Sequence, residues 1–233
     1  MSFETVTIGS ATIYRGDCME YMATLPDKAF DLAIVDPPYG IGINMNQGRR
    51  AGNVIKHARK TWDANPPSAE YWRELTRVSR NQIVWGANNF EWIPSHSGWI
   101  VWDKDITGEV GFSRAELAYH SGINIVDIVR IRAQSGEETY MNKIHPTQKP
   151  VKLYEWLLTN YAKPGQRILD THLGSGSSAI AALGMGFEFV GCELDHDYFA
   201  SSVKRIENTQ RQQPMFAPVR TKQEQDKMFV DQA

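Results

Sequence analysis

The chain has 233 residues, of which 42% are hydrophobic and 22% are charged, and its formal net charge is −2 at pH 7. These values are typical of an ordinary globular protein and argue against a nucleic-acid binder of the purely electrostatic kind. Apolar runs are shorter than the roughly 18–20 residues of a membrane span. The start lacks a signal-peptide pattern and the two cysteines predict neither a disulfide framework nor a metal cluster, so we expect a cytoplasmic protein.

Strand and helix patterns alternate along the chain. Strands are predicted at residues 11–17, 30–36, 81–87, 98–104, 115–120, 125–133, 167–170 and 187–195. Helices are predicted at residues 18–25, 68–80, 151–162, 177–186 and 197–210, with Ser68 as a candidate N-cap. This alternation predicts an α/β fold with a mostly parallel, doubly wound sheet, which binds ligands outside the carboxyl ends of its strands.

These elements predict one catalytic domain over residues 1–210, because no repeat or clear linker divides them. The polar segment 40–66 is rich in glycine and asparagine, which predicts a long mobile loop. Residues 211–233 are polar and lack periodicity, so we expect a disordered tail there.

The stretch AIVDPPYGIG ends a buried strand with an aspartate, two prolines and a tyrosine. Proline lacks a backbone N–H and favours extended backbone, so Asp36 and the carbonyl of Pro37 could face one donor group beside the ring of Tyr39. Such a pocket suits the exocyclic amine of a planar base, since two acceptors would localise the lone pair of that amine for direct methyl transfer. A proline-stiffened turn with a core tyrosine is the structural alternative.

The stretch RILDTHLGSGSSAIAALGMGFEFVGCELD contains a strand, a glycine loop, a helix, a strand and an acid in that order. In nucleoside-binding βαβ units, glycines such as Gly174 and Gly176 allow close approach to the backbone, and an acid such as Glu193 binds the ribose. Asp170 precedes the glycines. A carboxylate there suits the amino group of S-adenosylmethionine better than the pyrophosphate of NAD.

Three motifs, DPPYG, HPTQKP and DTHLGSGSS…VGCELD, resemble those of the amino-methylating DNA methyltransferases of the β order. The resemblance covers residues 12–207, most of the chain. It implies a Rossmann-like, S-adenosylmethionine-dependent methyltransferase fold with one antiparallel strand, flipping of the target base, and methylation of adenine N6 or cytosine N4 in DNA. An aspartate as the first residue of DPPY is more typical of the adenine enzymes.

The resemblance also implies roles for individual residues. In the catalytic motif, made of Asp36, Pro37, Pro38 and Tyr39, the first two would hold the target amine and Tyr39 would stack on the flipped base. The implied cofactor-binding residues are Asp17, Cys18, Asp36, Thr147, Lys149, Asp170, His172, Gly174, Ser175, Gly176, Glu193 and Leu194.

Within that cofactor set, Asp17 and Cys18 resemble the contact to the adenine, and Glu193 the contact to the ribose. Thr147 and Lys149 belong to a segment that closes over the methionine end. Two structural alternatives stay open: Asp17 can instead cap the helix that follows it, and HPTQKP can instead fix a helix start.

Asp170-Thr171-His172 departs from the usual Asp-Pro-Phe of the family. A histidine in place of the phenylalanine could make cofactor binding pH-dependent, the alternative being an imidazole hydrogen-bonded within the loop. Neither Cys18 nor Cys192 follows a proline, so methylation at cytosine C5, which needs a nucleophilic cysteine, is not expected.

Basic residues indicate where double-stranded DNA would bind. Those just after the catalytic motif, predicted to contact phosphates unless they are simply solvated, are Arg49, Arg50, Lys56, Arg59 and Lys60. Residues 121–143 predict a small target-recognition insert, whose candidate base readers are Arg130, Arg132, Gln134 and Asn142. Each of these could equally be an ordinary surface residue. So small a recognition region predicts a short or relaxed target site, whose recognition a homodimer would help.

Two other classes of function stay open from the residues alone. The glycine loop by itself would suit a NAD-dependent oxidoreductase, but that function leaves DPPY and HPTQKP without a role. The change at His172 would suit a DNA-binding protein that has lost catalysis. NADH binding would support the first alternative, and methyl transfer that depends on Asp36 would exclude the second.

Overall fold

The computed structural model describes residues 3–40, 66–95, 98–108, 113–133, 144–145 and 147–212. These residues form nine strands and five α-helices. The strands are β1 (Glu4–Ile8), β2 (Ala11–Arg15), β3 (Phe30–Val35), β4 (Ser79–Trp85), β5 (Trp99–Asp103), β6 (Ala115–His120), β7 (Val126–Arg130), β8 (Arg167–Asp170) and β9 (Glu188–Glu193). The helices are α1 (Cys18–Ala23), α2 (Ala69–Val78), α3 (Val151–Tyr161), α4 (Ser177–Gly184) and α5 (His196–Gln212).

The strands make one sheet in the order β1-β2-β9-β8-β3-β4-β6-β5-β7. Neighbours from β2 to β4 pair in parallel, whereas β6 is antiparallel to both β4 and β5. The mostly parallel α/β sheet is therefore confirmed, together with the reversed strand that the resemblance implies.

Strand β1 was not predicted from the sequence and adds a second reversed strand at one edge. It pairs with β2 from Glu4–Arg15 to Ile8–Ala11, so the two strands form a hairpin around Gly9 and Ser10. Alternating β-branched residues on either side of a Gly-Ser pair are a hairpin signal.

The two faces of the sheet carry separate hydrophobic clusters, which is why the central strands are buried on both sides. On β3, Leu32 and Ile34 pack into one cluster with residues of α3, α4 and α5. Ala33 and Val35 point to the other face and pack with residues of α1 and α2.

The predicted N-cap of α2 is confirmed by this fold. Ser68 caps α2, since its side chain accepts a hydrogen bond from the Tyr71 N–H. Trp85 and Trp102 are buried in the core. No helix within the described ranges has the length and apolar character needed to cross a membrane.

The topology brings distant motifs to one edge of the sheet. Strand β3 lies between β8 and β4, so the DPPY motif that follows β3 is next to the ends of both neighbours. Strand β9, which ends at Glu193, pairs with β8 on one side and with β2 on the other. Because β6 is reversed, its first residues rather than its last reach this same edge.

Candidate active site

A cavity of about 760 Å³ opens at the carboxyl edge of the sheet. Its volume lies within the range of roughly 300–1,000 Å³ that is typical of small-molecule sites. The sequence-predicted residues that line it are Asp17, Cys18, Asp36, Pro38, Thr147, Lys149, His172, Gly174, Ser175, Glu193 and Leu194. The fold thus brings most of the predicted cofactor residues together around one space.

Asp170 and Gly176 belong to the predicted set but are not among the lining residues. Asp170 is only 2% exposed, and its carboxylate accepts hydrogen bonds from the His172 N–H (3.0 Å) and the Ser178 hydroxyl (2.6 Å). At Gly176, with φ of 77°, a Cβ would lie 3.0 Å from Ile206 Cδ1. In this structure, Asp170 therefore supports the glycine loop, and Gly176 packs closely against α5.

Glu193 has the opposite placement, at the wall of the cavity. Its two carboxylate oxygens accept hydrogen bonds from the Gly174 N–H (2.8 Å) and the Asp195 N–H (2.9 Å). Burial raises the pKa of Glu193 to about 7, and burial likewise raises the pKa of Asp170 to about 7. Each carboxylate oxygen can accept further hydrogen bonds, so Glu193 suits a ligand that brings hydroxyl groups.

The other end of the lining comes from the start of α1 and the residue after β9. Asp17 is exposed and caps α1, because its carboxylate accepts the Met19 N–H at 2.8 Å. Burial raises the pKa of the Cys18 thiol to about 12, so that thiol stays protonated. Leu194 is 70% exposed and offers an apolar wall for a flat ring.

The departure at Thr171-His172 is accommodated by a tyrosine from α2. The Tyr71 hydroxyl lies 2.6 Å from Thr171 Oγ1, which in turn lies 2.9 Å from His172 Nδ1. The Tyr71 and His172 rings meet edge to face with centroids 5.4 Å apart. Burial lowers the pKa of His172 to about 4, so the ring is neutral near pH 7. The hydrogen-bonded imidazole is thus what the structure shows, and it does not support pH-dependent binding through His172 near neutrality.

Two residues of the DPPY motif, Asp36 and Tyr39, lie within a buried group of charged and polar side chains, here called the charge cluster: Asp36, Tyr39, Lys104, Glu116 and Lys149. Lys149 Nζ lies 2.6 Å from Asp36 Oδ2 and 3.0 Å from Glu116 Oε2. The Tyr39 hydroxyl donates to Asp36 Oδ1 at 2.7 Å, and Lys149 donates to the Tyr39 oxygen at 3.2 Å. Lys104 Nζ contacts the other oxygen of Glu116 at 2.6 Å. Lys104 and Glu116 are site residues that the sequence analysis missed.

Burial and pairing act in opposite directions on the carboxylates of the charge cluster. Burial raises the pKa of Asp36, partly offset by Lys149. Burial also acts to raise the pKa of Glu116, but Lys149 and Lys104 outweigh it and hold that pKa at about 2. For Lys149, burial acts to lower the pKa, yet Asp36 and Glu116 raise it overall. Lys149 is therefore charged and Glu116 is a carboxylate over the whole physiological range.

The ring of Tyr39 is fixed by its neighbours. A Cβ on Gly86, whose φ is 67°, would lie 2.1 Å from Tyr39 Cε1 and 2.5 Å from Cζ, so the ring packs directly on the Gly86 backbone. Phe90 meets the Tyr39 ring edge to face at 6.4 Å. One face of Tyr39 is thus covered by the chain itself.

The HPTQKP segment both starts a helix and contributes to the site. Pro150 is the N-cap residue of α3, as the structural alternative expected. Thr147 lines the cavity, and its hydroxyl lies 3.1 Å from His145 Nδ1. Lys149 is also at the cavity wall, but its ammonium group is directed to the charge cluster.

The residues predicted to bind DNA are placed less completely. Seven of them lie outside the described residues: Arg49, Arg50, Lys56, Arg59, Lys60, Gln134 and Asn142. The loop 40–66 is described only at its two end residues. Arg130 and Arg132 are exposed near the edge strand β7 and pair with Asp103 (2.7 Å) and Asp105 (3.2 Å). Neither arginine lines the cavity.

Comparison with known proteins gives concordant matches. A family model described as DNA methylase matches residues 84–204, just over half of the chain. YubD of Escherichia coli (strain K12), named as a methylase, is 30% identical over 213 residues, which cover 84% of this chain and 90% of that protein. The type II methyltransferase M.HinfI of Haemophilus influenzae is 22% identical over 246 residues, covering 84% and 68%.

Two solved structures share the fold. The complex of M1.HpyAVI with SAM has a TM-score of 0.57 at 19% identity and covers 84% of this chain and 99% of its own. The cytosine-N4-specific PvuII DNA methyltransferase has a TM-score of 0.58 at 13% identity and covers 91% and 96%. At these identities, the likeness concerns the fold.

Proposed function

The chain belongs to the N6/N4 DNA methylase family, and from that membership we propose that it transfers a methyl group from S-adenosylmethionine to adenine N6 in double-stranded DNA. The observation that carries the proposal is the placement of Asp36 and Pro38 in the wall of the cavity that Glu193 and Gly174 also line. A donor site and an acceptor site are then adjacent on one sheet edge. The choice of adenine over cytosine N4 is supported by the aspartate that begins DPPY.

The cavity fits S-adenosylmethionine in both size and chemistry. We expect Glu193 to accept hydrogen bonds from the ribose hydroxyls and Leu194 to pack against the adenine, with Asp17 and Cys18 beside it. Thr147 and the glycine loop would hold the methionine end, and Asp170 would keep that loop in shape through His172 and Ser178. When bound, S-adenosylmethionine supplies an electrophilic methyl group.

The catalytic motif would act on the target amine. Asp36 and the Pro37 carbonyl accept hydrogen bonds from the amine of a flipped base and favour the positive charge that develops on its nitrogen. Tyr39 contributes its hydroxyl to the orientation of Asp36, and we keep the expectation that its ring also contacts the base. Much of the rate gain would come from the positioning of these groups against the amine.

The proposal also covers the DNA-binding residues, the domain arrangement, the oligomeric state and the location of the protein. We propose that the basic residues of segment 49–60 contact phosphates, and that Arg130 and Arg132 belong to the recognition region 121–143. We retain three further predictions, which are a single catalytic domain over residues 1–210, a homodimer and a cytoplasmic location.

Two measurements test the proposal. One is the transfer of labelled methyl groups to duplexes in which one strand has only adenine, or only cytosine, as its amine-bearing base. The other is the mapping of modified bases in genomic DNA. We expect label in adenine. Asp36→Ala should lower the rate by about 10²–10³-fold while DNA and cofactor still bind. Asp27→Asn removes an exposed carboxylate that pairs with Arg77 away from the cavity, and serves as the control.

Other results would redirect the assignment. Label confined to cytosine would change the target to N4. DNA binding without methyl transfer would indicate a protein that has lost catalysis. Tight NADH binding with no methyl transfer would support the oxidoreductase.

A further inference from the structure

Lys149 occupies an unusual place for a lysine, directly beside the catalytic carboxylate and almost without solvent. Its side chain is 3% exposed, and its ammonium group lies within 2.6 Å of Asp36 and 3.0 Å of Glu116. Burying a charge at this depth is costly unless it is paired, and Glu116 provides a second partner besides Asp36. Glu116 is itself held on its other oxygen by Lys104.

The placement puts a hydrogen-bond donor, Lys149, next to an acceptor, Asp36, at the wall of the cavity. Asp36 can only accept hydrogen bonds when ionised, and Lys149 can only donate them. Adenine and cytosine both carry an amine on a ring carbon next to an acceptor nitrogen, N1 in adenine and N3 in cytosine. At the equivalent position of the Watson–Crick edge, guanine and thymine present a carbonyl oxygen beside a ring N–H, which is the reverse order.

We propose that Lys149 donates a hydrogen bond to the ring nitrogen beside the target amine, and that Glu116 is the positioning residue that holds Lys149 there. This inference rests on the proposed function. Lys149 has three N–H donors, directed in this structure to Asp36, Glu116 and the Tyr39 hydroxyl. The contact with Tyr39, at 3.2 Å, is the longest and involves a neutral partner, so it is the one that a base would replace.

The pair Asp36–Lys149 would then recognise the edge common to adenine and cytosine. It would reject guanine and thymine, because their oxygen would face Asp36 and their ring N–H would face Lys149. The same pair does not distinguish adenine from cytosine, so that choice must come from the shape of the remaining pocket.

Methyl transfer to a modified base tests the hydrogen bond directly. A duplex carries the mapped target site with either adenine or 1-deazaadenine, in which C–H replaces N1 and the amine is kept. Single-turnover rates are compared for the wild type and for Lys149→Met. A hydrogen bond to a charged donor contributes about 1.5–3 kcal/mol, so its loss should change the rate ratio of the two bases by about 10–100-fold. We expect the wild-type preference for adenine to be that much larger than the preference of Lys149→Met.

Comparing ratios removes the intrinsic difference in reactivity between the two bases. Glu116→Gln keeps the shape of the side chain. Its adenine to 1-deazaadenine rate ratio should lie between that of the wild type and that of Lys149→Met. It provides the test if Lys149→Met does not fold. Lys152→Met, on α3 but away from the cavity lining, should keep the wild-type ratio. If mapping identifies cytosine, 3-deazacytosine replaces 1-deazaadenine.

The failures are distinguishable. Equal ratios for the wild type and both variants would overturn this inference while leaving methyl transfer intact. Weaker binding of S-adenosylmethionine to Lys149→Met with an unchanged ratio would assign Lys149 to the cofactor instead and would also overturn it. A wild type that methylates neither base would overturn the proposed function, and this inference with it.

Discussion

Gly86 and the ring of Tyr39 are in direct contact, at a point where a Cβ on Gly86 would lie 2.1 Å from the ring. Gly86→Ala must therefore move Tyr39, whose hydroxyl donates to Asp36, the proposed catalytic carboxylate. We expect the single-turnover rate of methyl transfer to fall at least tenfold. The affinity for S-adenosylmethionine, measured by calorimetry, should stay unchanged.

A matched control separates this displacement from backbone strain. Gly108 also has a positive φ, of 83°, but a Cβ there would meet nothing within 4 Å. Both alanine variants should lose about 1–2 kcal/mol of unfolding free energy from the left-handed conformation. Gly86→Ala should lose more because the Tyr39 ring must move, and only Gly86→Ala should lose activity. Equal activities would show that the position of Tyr39 is unimportant.

Cofactor binding should become stronger as pH rises from 6 to 8. Burial raises the pKa of Glu193 to about 7, and ribose hydroxyls donate better to the ionised form. Ionisation of one such group over this range corresponds to about a tenfold gain in affinity. Calorimetry with S-adenosylmethionine should show proton release, and Glu193→Gln should remove most of the pH dependence. If Glu193→Gln keeps it all, Glu193 is not the group that titrates.

The same raised pKa has a consequence for the unliganded protein. The folded state binds a proton at Glu193 more tightly than the unfolded chain, whose carboxyl has an ordinary pKa of 4.5. The stability that this group contributes is thus complete below pH 4.5 and is lost as pH rises to about 7. Saturating cofactor should flatten that part of a plot of Tm against pH.

Tyr71→Phe should weaken cofactor binding through the glycine loop. The substitution removes the 2.6 Å hydrogen bond to Thr171 and so loosens His172, which lines the cavity. We expect about 1 kcal/mol less stability and a Kd for S-adenosylmethionine raised about fivefold.

Tyr161→Phe removes a similar hydroxyl contact, 2.7 Å from Asp127, away from the cavity. It should cost similar stability without changing the Kd. Identical Kd values for both variants would mean that the loop does not need Tyr71.

Asp17 caps α1, and substitution by serine separates this role from contact with the cofactor. Serine caps a helix as well as aspartate, so Asp17→Ser should keep the Tm. If Asp17 also contacts the adenine, the Kd for S-adenosylmethionine should rise about fivefold.

Ser68→Ala provides the opposite case, since it removes only the cap of α2. It should lower stability by about 0.5–2 kcal/mol and leave the Kd unchanged. A Kd unaffected by Asp17→Ser would leave capping as the sole role of Asp17.

The carboxyl-edge residues could be found from the sequence because each follows a recognisable strand. Asp36 comes after β3, the glycine loop after β8, and Glu193 ends β9. In a parallel sheet, all such positions meet at one edge, so reading strand ends is enough to assemble a site.

Glu116 escaped this reasoning for a topological reason, whereas Lys104 directly follows β5 at the carboxyl edge and could have been found by it. Glu116 is the second residue of β6 and pairs in register with Trp102. It reaches the site only because β6 runs against its neighbours, and nothing local in the sequence fixes that direction. Gly86 was missed for a related reason, because its contact with Tyr39 joins residues that are distant in the chain.

The charge cluster contains two carboxylates and two ammonium groups, so its formal charge is zero. A neutral nucleobase can therefore enter without bringing or expelling an ion. Counter-ions released during the reaction would come from the contacts between the protein and the DNA backbone. Added salt should accordingly weaken DNA binding but leave the rate of the bound complex almost constant.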